Sequence, residues 1–170
     1  MLIRKIKSIG CWNPDNIRKN IKREDATFQG DSIADLKTEH NGLSVWFTPD
    51  LEEESLKPIL AAMAVSRDSL QKITYVVLDE KELERLEIYA EQVNGIAPGV
   101  TDKSILNRHR DLTDIDYKRM GMLSEYICSL IKMNKGTTVN IMKMKNYIND
   151  LISQGSIDKN SLKESIKQVL

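Results

Sequence analysis

The chain has 170 residues, a mass of 19.4 kDa, 41% hydrophobic and 29% charged residues, close to the average for a folded domain and too short for two independent enzymes. Twenty-five basic and 25 acidic side chains leave no net charge, which argues against a whole-surface binder of nucleic acid or anionic membrane, though not against a local patch. Two cysteines, Cys11 and Cys128, sit in unrelated segments and suggest no disulfide framework. The N-terminus lacks the apolar core of a signal peptide, and no apolar run approaches the roughly 18 residues of a membrane span. A cytoplasmic location without membrane attachment is expected.

Residues 2–9 mix Leu2, Ile3, Ile6 and Ile9 with Arg4, Lys5 and Lys7, a pattern that predicts a short strand at a sheet edge. The turn cluster 10–16 and the basic stretch 18–23 read as irregular, with one helical turn near 31–36. Leu43–Thr48 predicts a strand. Asp50 and Glu53 stand at capping-box spacing ahead of Leu56, Ile59, Leu60 and Met63, one face of a helix that Pro58 either kinks or delays to about Ser55. Ile73–Leu78 is apolar, aromatic or β-branched throughout and predicts a central strand followed by an acidic helix over 79–86.

The tract Val93-Asn94-Gly95-Ile96-Ala97-Pro98-Gly99 is the clearest punctuation, so an α/β domain over 1–98 and an all-helical region over 99–170 are expected. Within the latter, helices are predicted from Asp114 to about 133, capped by Thr113, over about 138–154, and from Ser161 with Glu164 as its capping partner.

No zinc-ligand spacing, phosphate-cradling glycine loop or nucleophile elbow occurs, so no metal or cofactor is expected. His109 lies between Arg108 and Arg110, with Asp111, Asp114 and Asp116 behind it, the residue types for an acid–base histidine with phosphate-neutralising arginines. His109, Arg110 and Asp111 are therefore the candidate catalytic set of an enzyme on nucleotides or RNA. A second polar cluster, Asp31, Asp35, Lys37, Glu39, His40 and Asn41, precedes the 43–48 strand.

Charge is segregated along the chain: residues 1–30 carry +4, 31–100 carry −8 and 101–170 carry +4. The acids concentrate in Asp50, Glu52, Glu53 and Glu54, and in Asp79, Glu80, Glu82 and Glu84. Two accounts are open: helix-dipole complementarity with solubility, or a negative surface that steers a basic partner. The leading expectation is a non-catalytic protein-binding protein, of the bacterial immunity, antitoxin or accessory-subunit kind. It would dock a basic protein partner through that acidic surface, with the C-terminal helices as a second docking or homo-oligomerising element. A third expectation is nucleic-acid binding by a helix-turn-helix-like unit using Lys143, Lys145, Asn146 and Asn149, against which stands the absence of arginine from 120–170.

Overall fold

The computed structural model describes residues 1–13, 30–38 and 42–170. Six strands, β1 (Leu2–Ile6), β2 (Leu43–Phe47), β3 (Ile73–Leu78), β4 (Tyr89–Gln92), β5 (His109–Thr113) and β6 (Gly136–Val139), form one antiparallel sheet in the order β4-β5-β2-β1-β3-β6. Helices α1 (Ile9–Trp12), α2 (Gly30–Asp35), α3 (Glu53–Val65), α4 (Glu80–Arg85), α5 (Lys103–Leu106), α6 (Tyr117–Lys132), α7 (Ile141–Ser153) and α8 (Glu164–Lys167), with a 3-10 turn at Lys159–Ser161, complete the described elements. The fold is mixed α/β. The expectation of an all-helical region over 99–170 is only partly met, because β5 and β6 lie within it and pair with β2, β4 and β3.

Strand alternation sends side chains to two faces, and each face has its own apolar core. On one, Ile3, Trp46, Ile73, Tyr75 and Val139 pack under α3, α5 and α7. On the other, Leu2, Ile6, Leu43, Val45, Val76, Leu78 and Leu112 pack under Trp12, Leu36, Leu83 and the Leu123, Ile127, Cys128, Leu130 and Ile131 stripe of α6. The sheet is thus the middle of three layers. Every residue of α3 from Ile59 to Val65 is buried, as befits a helix enclosed by sheet, α5 and α7 together.

The predicted central strand 73–78 is β3, flanked on both sides. The predicted edge strand is instead central: β1 lies between β2 and β3, with Leu2 paired to both Phe47 and Leu78. The reason for the difference is that Arg4 and Lys5 do not face bulk water along an edge. The Arg4 guanidinium donates to the carbonyls of Ser44 and Asp35, each at 2.8 Å, while Lys5 opens into a cleft.

Helix α3 begins at Glu53 and carries Pro58 in its interior. Its first turn is not closed by a capping box, since Asp50 accepts instead from the Glu52 amide at 3.0 Å. Helix α6 is capped by Asp116 rather than Thr113, and α7 by Asn140. Ser161 donates to Asp158 instead of capping α8, which starts beyond Lys163 with no side-chain cap. Among the described residues no helix is long and apolar enough to cross a membrane.

Candidate functional site

At one end of the sheet, beyond Leu2, Phe47 and Leu78, the chain turns into the two acidic runs. The Met1 amino group bonds the Thr48 carbonyl at 3.3 Å and the Glu80 carboxylate at 2.8 Å, drawing them together. Most of these acids have work inside the molecule. Asp79 accepts from the Lys81 amide as the cap of α4, Glu82 pairs with Arg85, and Glu53 accepts from Lys143 Nζ at 2.8 Å and from the Tyr147 hydroxyl at 3.0 Å. Those two donors hold the Glu53 carboxyl below its usual range. The carboxylates of Glu52, Glu54 and Glu84 make no hydrogen bond or ion pair among the described residues.

The C-terminal basic set is divided. Lys143 is engaged with Glu53, whereas Asn146 and Asn149 are exposed and Lys145 is half-buried. A strand, β6, stands between α6 and α7 where a helix-turn-helix unit has a turn.

The opposite region of the sheet carries a cleft of about 490 Å³. Its floor is the α3-side face of β1, β2 and β5, contributing Lys5, Ser44, Trp46 and His109. One wall is the end of α3 and the segment after it, with Met63, Ser66, Arg67, Ser69 and Gln71, and Ile96 stands on the other rim. This convergence follows from register: Trp46 pairs with His109 and Ser44 with Asp111, which puts all four side chains on one face.

His109 is wedged there. Its ring meets Trp46 edge-on, with centroids 5.0 Å apart and planes at 73°. Behind it, a Cβ on Gly95 would lie 2.8 Å from His109 Cβ and 2.7 Å from the Leu106 carbonyl oxygen. Neither neighbour is the far end of a flexible chain, so Gly95→Val is expected to lower unfolding free energy by about 1–3 kcal/mol in urea titration. An unchanged midpoint would show that the 93–99 segment does not bear on the histidine.

Ser44, His109 and Asp111 have the composition of a hydrolytic triad but not its geometry. Ser44 Oγ is 3.2 Å from both His109 Nε2 and Asp111 Oδ1, and the carboxylate is 4.0 Å from the same Nε2. In a triad the carboxylate orients the imidazole through Nδ1. Here Nδ1 is buried and has no partner. Leaving a lone pair there is less costly than leaving an N–H, so the favoured arrangement has Nε2–H donating to Ser44 and the Ser44 hydroxyl donating to Asp111. That order points the serine proton at the carboxylate, and the imidazole, whose Nε2 carries a hydrogen, does not take it as the histidine of a triad does.

Burial pulls the His109 imidazole below its ordinary value of 6.5, with Asp111 opposing and Arg110 assisting. Above pH 6.5 both folded and unfolded states are neutral at this group. Below it the unfolded chain takes the proton first, so stability falls as pH falls. Thermal midpoints measured from about pH 7.5 down to about pH 5 are expected to drop less for His109→Gln than for the parent chain. Equal slopes would remove this histidine from the acid sensitivity.

The other candidates near His109 have structural roles. Arg110 lies on the opposite face, its guanidinium 5.7 Å from the Phe47 ring centroid, and donates to the carbonyls of Asn107 and His109. Arg108 donates to the Ser55 carbonyl at 3.1 Å, and Asp114 adopts a positive φ of 56° in the turn before α6. Glu39, His40 and Asn41 lie outside the described residues. Asp35 accepts from Trp12 Nε1 at 2.8 Å and from the Lys7 amide.

The cations of the cleft are ones that residue patterning missed: Lys5, Arg67 and the flanking Arg4. Arg67 donates to Gln71 Oε1 at 2.7 Å. Neither Lys5 nor Arg67 has a carboxylate within ion-pair distance among the described residues, and the nearby Asp68 is taken by Lys163 at 2.8 Å. The Lys5 ammonium is held below its ordinary value by burial first and by Arg67 next, with Asp35 opposing. A cation just past the end of α3 suits the helix dipole, which accounts for Arg67 but not for Lys5. The available signal was two consecutive cations inside an otherwise apolar strand. Among the described residues no three His, Cys, Asp or Glu side chains gather as a metal site would need.

Fold and cleft together define a mixed α/β protein with a cationic hollow on one face of an antiparallel sheet. A scan against protein-family models, a search of curated proteins and a search of solved structures each return no match for the chain.

Proposed function

We propose that the protein binds a small phosphate-bearing ligand in the cleft over β1, β2 and β5. The observation that carries this reading is the pair Lys5 and Arg67. They are two partly buried cations without a carboxylate partner, facing one hollow, and burial and then Arg67 lower the Lys5 ammonium below its ordinary value. Bringing like charges together in a partly dry site is unfavourable, and an anion between them reverses the sign of the interaction. The Ser69 hydroxyl, which accepts from Gln71 and keeps its own proton, supplies a further donor of the kind that phosphate oxygens accept. No covalent step is assigned to Ser44, given the order of its hydrogen bonds with His109 and Asp111.

Calorimetric titration of the full chain with inorganic pyrophosphate tests this. The expected result is saturable binding in the millimolar range or tighter, about −4 kcal/mol or better, that weakens as salt is raised. No heat of binding for pyrophosphate or for orthophosphate would remove the reading.

A second reading retains a protein partner for the acidic end of the molecule. It is favoured by Glu52, Glu54 and Glu84, whose carboxylates the described structure leaves unpaired near the Met1 terminus. A partner retained by the parent chain on an affinity column and released by Glu52/Glu54/Glu84→Lys would support it. A partner retained equally by both would count against it. The cleft is preferred because its cations are partly desolvated, whereas charges in bulk water are screened and stabilised without a partner.

A further inference from the structure

A second hollow of about 360 Å³ adjoins the first, and the two share Lys5, Arg67 and Gln71 along their common wall. The second hollow adds Lys7 and Lys72, neither in an ion pair among the described residues. Its one carboxylate is Asp35, already accepting from the Lys7 amide and Trp12 Nε1. Four cations therefore follow one another along a continuous surface whose two carboxylates are both committed, Asp35 as above and Asp68 to Lys163. Lys5 and Lys7 are two residues apart on an extended chain, on the order of 6–7 Å, a spacing wider than a single phosphate group.

The far side of the first hollow has a different chemistry. Met63 and the edge of Trp46 give it an apolar wall, and Ile96 stands on its rim 89% exposed. An isoleucine left almost wholly in water beside a polar cleft is a surface that a flat apolar group can cover. The two ends of the combined site thus call for one ligand that is planar and weakly polar at one end and polyanionic at the other.

We propose, resting on the cleft reading above, that the ligand is a nucleoside polyphosphate. Its base lies against Met63 and Ile96, and its phosphate chain passes Lys5 and Arg67 toward Lys7 and Lys72. A single-stranded nucleic acid fits less well, because such ligands are held by exposed aromatic platforms, whereas Trp46 in this lining is 7% exposed and the His109 side chain 16%.

The test is calorimetric titration of the full chain, without magnesium, with AMP, ATP, inorganic triphosphate and an octamer of thymidylate. ATP is expected to bind at least about tenfold more tightly than AMP and than triphosphate. Lys7→Ala/Lys72→Ala is expected to erase the advantage of ATP over AMP. Ile96→Ser is expected to weaken ATP while leaving triphosphate unchanged. Lys7, Lys72 and Ile96 are exposed, and matching thermal midpoints will show that the variants fold. AMP binding as tightly as ATP would overturn the polyphosphate assignment, and triphosphate matching ATP would overturn the placement of the base. An octamer binding more tightly than ATP would overturn the small-ligand class. Each of those results leaves anion binding in the cleft intact, whereas the absence of binding by every phosphate compound, pyrophosphate included, overturns both proposals.

Discussion

Lys5→Met/Arg67→Met is expected to weaken pyrophosphate binding by at least about a hundredfold, since each charge-assisted contact is worth about 1.5–3 kcal/mol and tenfold in affinity is 1.4 kcal/mol. The same variant is expected to keep or raise the thermal midpoint. Lys5 is held below its ordinary protonation range by burial and by Arg67, so the folded state bears a cost for charging it that methionine does not incur. Loss of function with gain of stability is the signature of a group retained for a ligand. A purely structural pair would behave in the opposite way, with a lower midpoint and unaltered titration. The stem of a buried lysine also packs, and methionine is chosen because it keeps that apolar length. Calorimetry and differential scanning measured on one preparation decide between the two outcomes.

Trp12→Ala is expected to lower unfolding free energy by about 3–5 kcal/mol, read from urea denaturation. Trp12 is fully buried in the layer that α6 forms on the sheet, and its carbonyl accepts from Cys128 Sγ at 3.4 Å. The indole N–H bonds Asp35 at 2.8 Å, and the backbone of Asp35 receives Arg4, so the ring also braces the wall of the second hollow. Trp12→Phe separates these roles. It keeps most of the apolar area and removes only the N–H, and Asp35 retains the Lys7 amide, so about 1 kcal/mol is expected. If alanine cost no more than phenylalanine, the ring would not be filling the core as described. Cys128 lies in the same layer, and burial pushes its thiol up to about 11, so the group stays protonated and unreactive at neutral pH.

Some of the fold was legible because its determinants are local. Helices α6 and α7 show their apolar stripes at helical spacing, and β3 is apolar enough to identify its central place. Their ends were read less well. Asp116 caps α6 in place of Thr113, a shift of three residues that cap chemistry alone could have allowed, since both side chains accept hydrogen bonds. The strands β4, β5 and β6 went unread for a different reason. Tyr89–Gln92, His109–Thr113 and Gly136–Val139 are short, and Leu112 and Val139 are their only buried positions. They are strands because partners distant in the chain offer them backbone hydrogen bonds, which no window of residues contains.

The site divides in the same way. His109 stood out by residue type, yet the arginines beside it in sequence turn to the opposite face or to a helix carbonyl. The cations that share its cleft come from β1 and from the segment after α3. By itself the sequence determined the helical stripes, one central strand and the segregation of charge, because these depend on neighbours along the chain. Only the tertiary structure decided which charges face one another. Antiparallel register brings Lys5, Ser44 and His109 to one face and places Arg110 behind it, and the packing of α3 on that face adds Arg67 to the hollow.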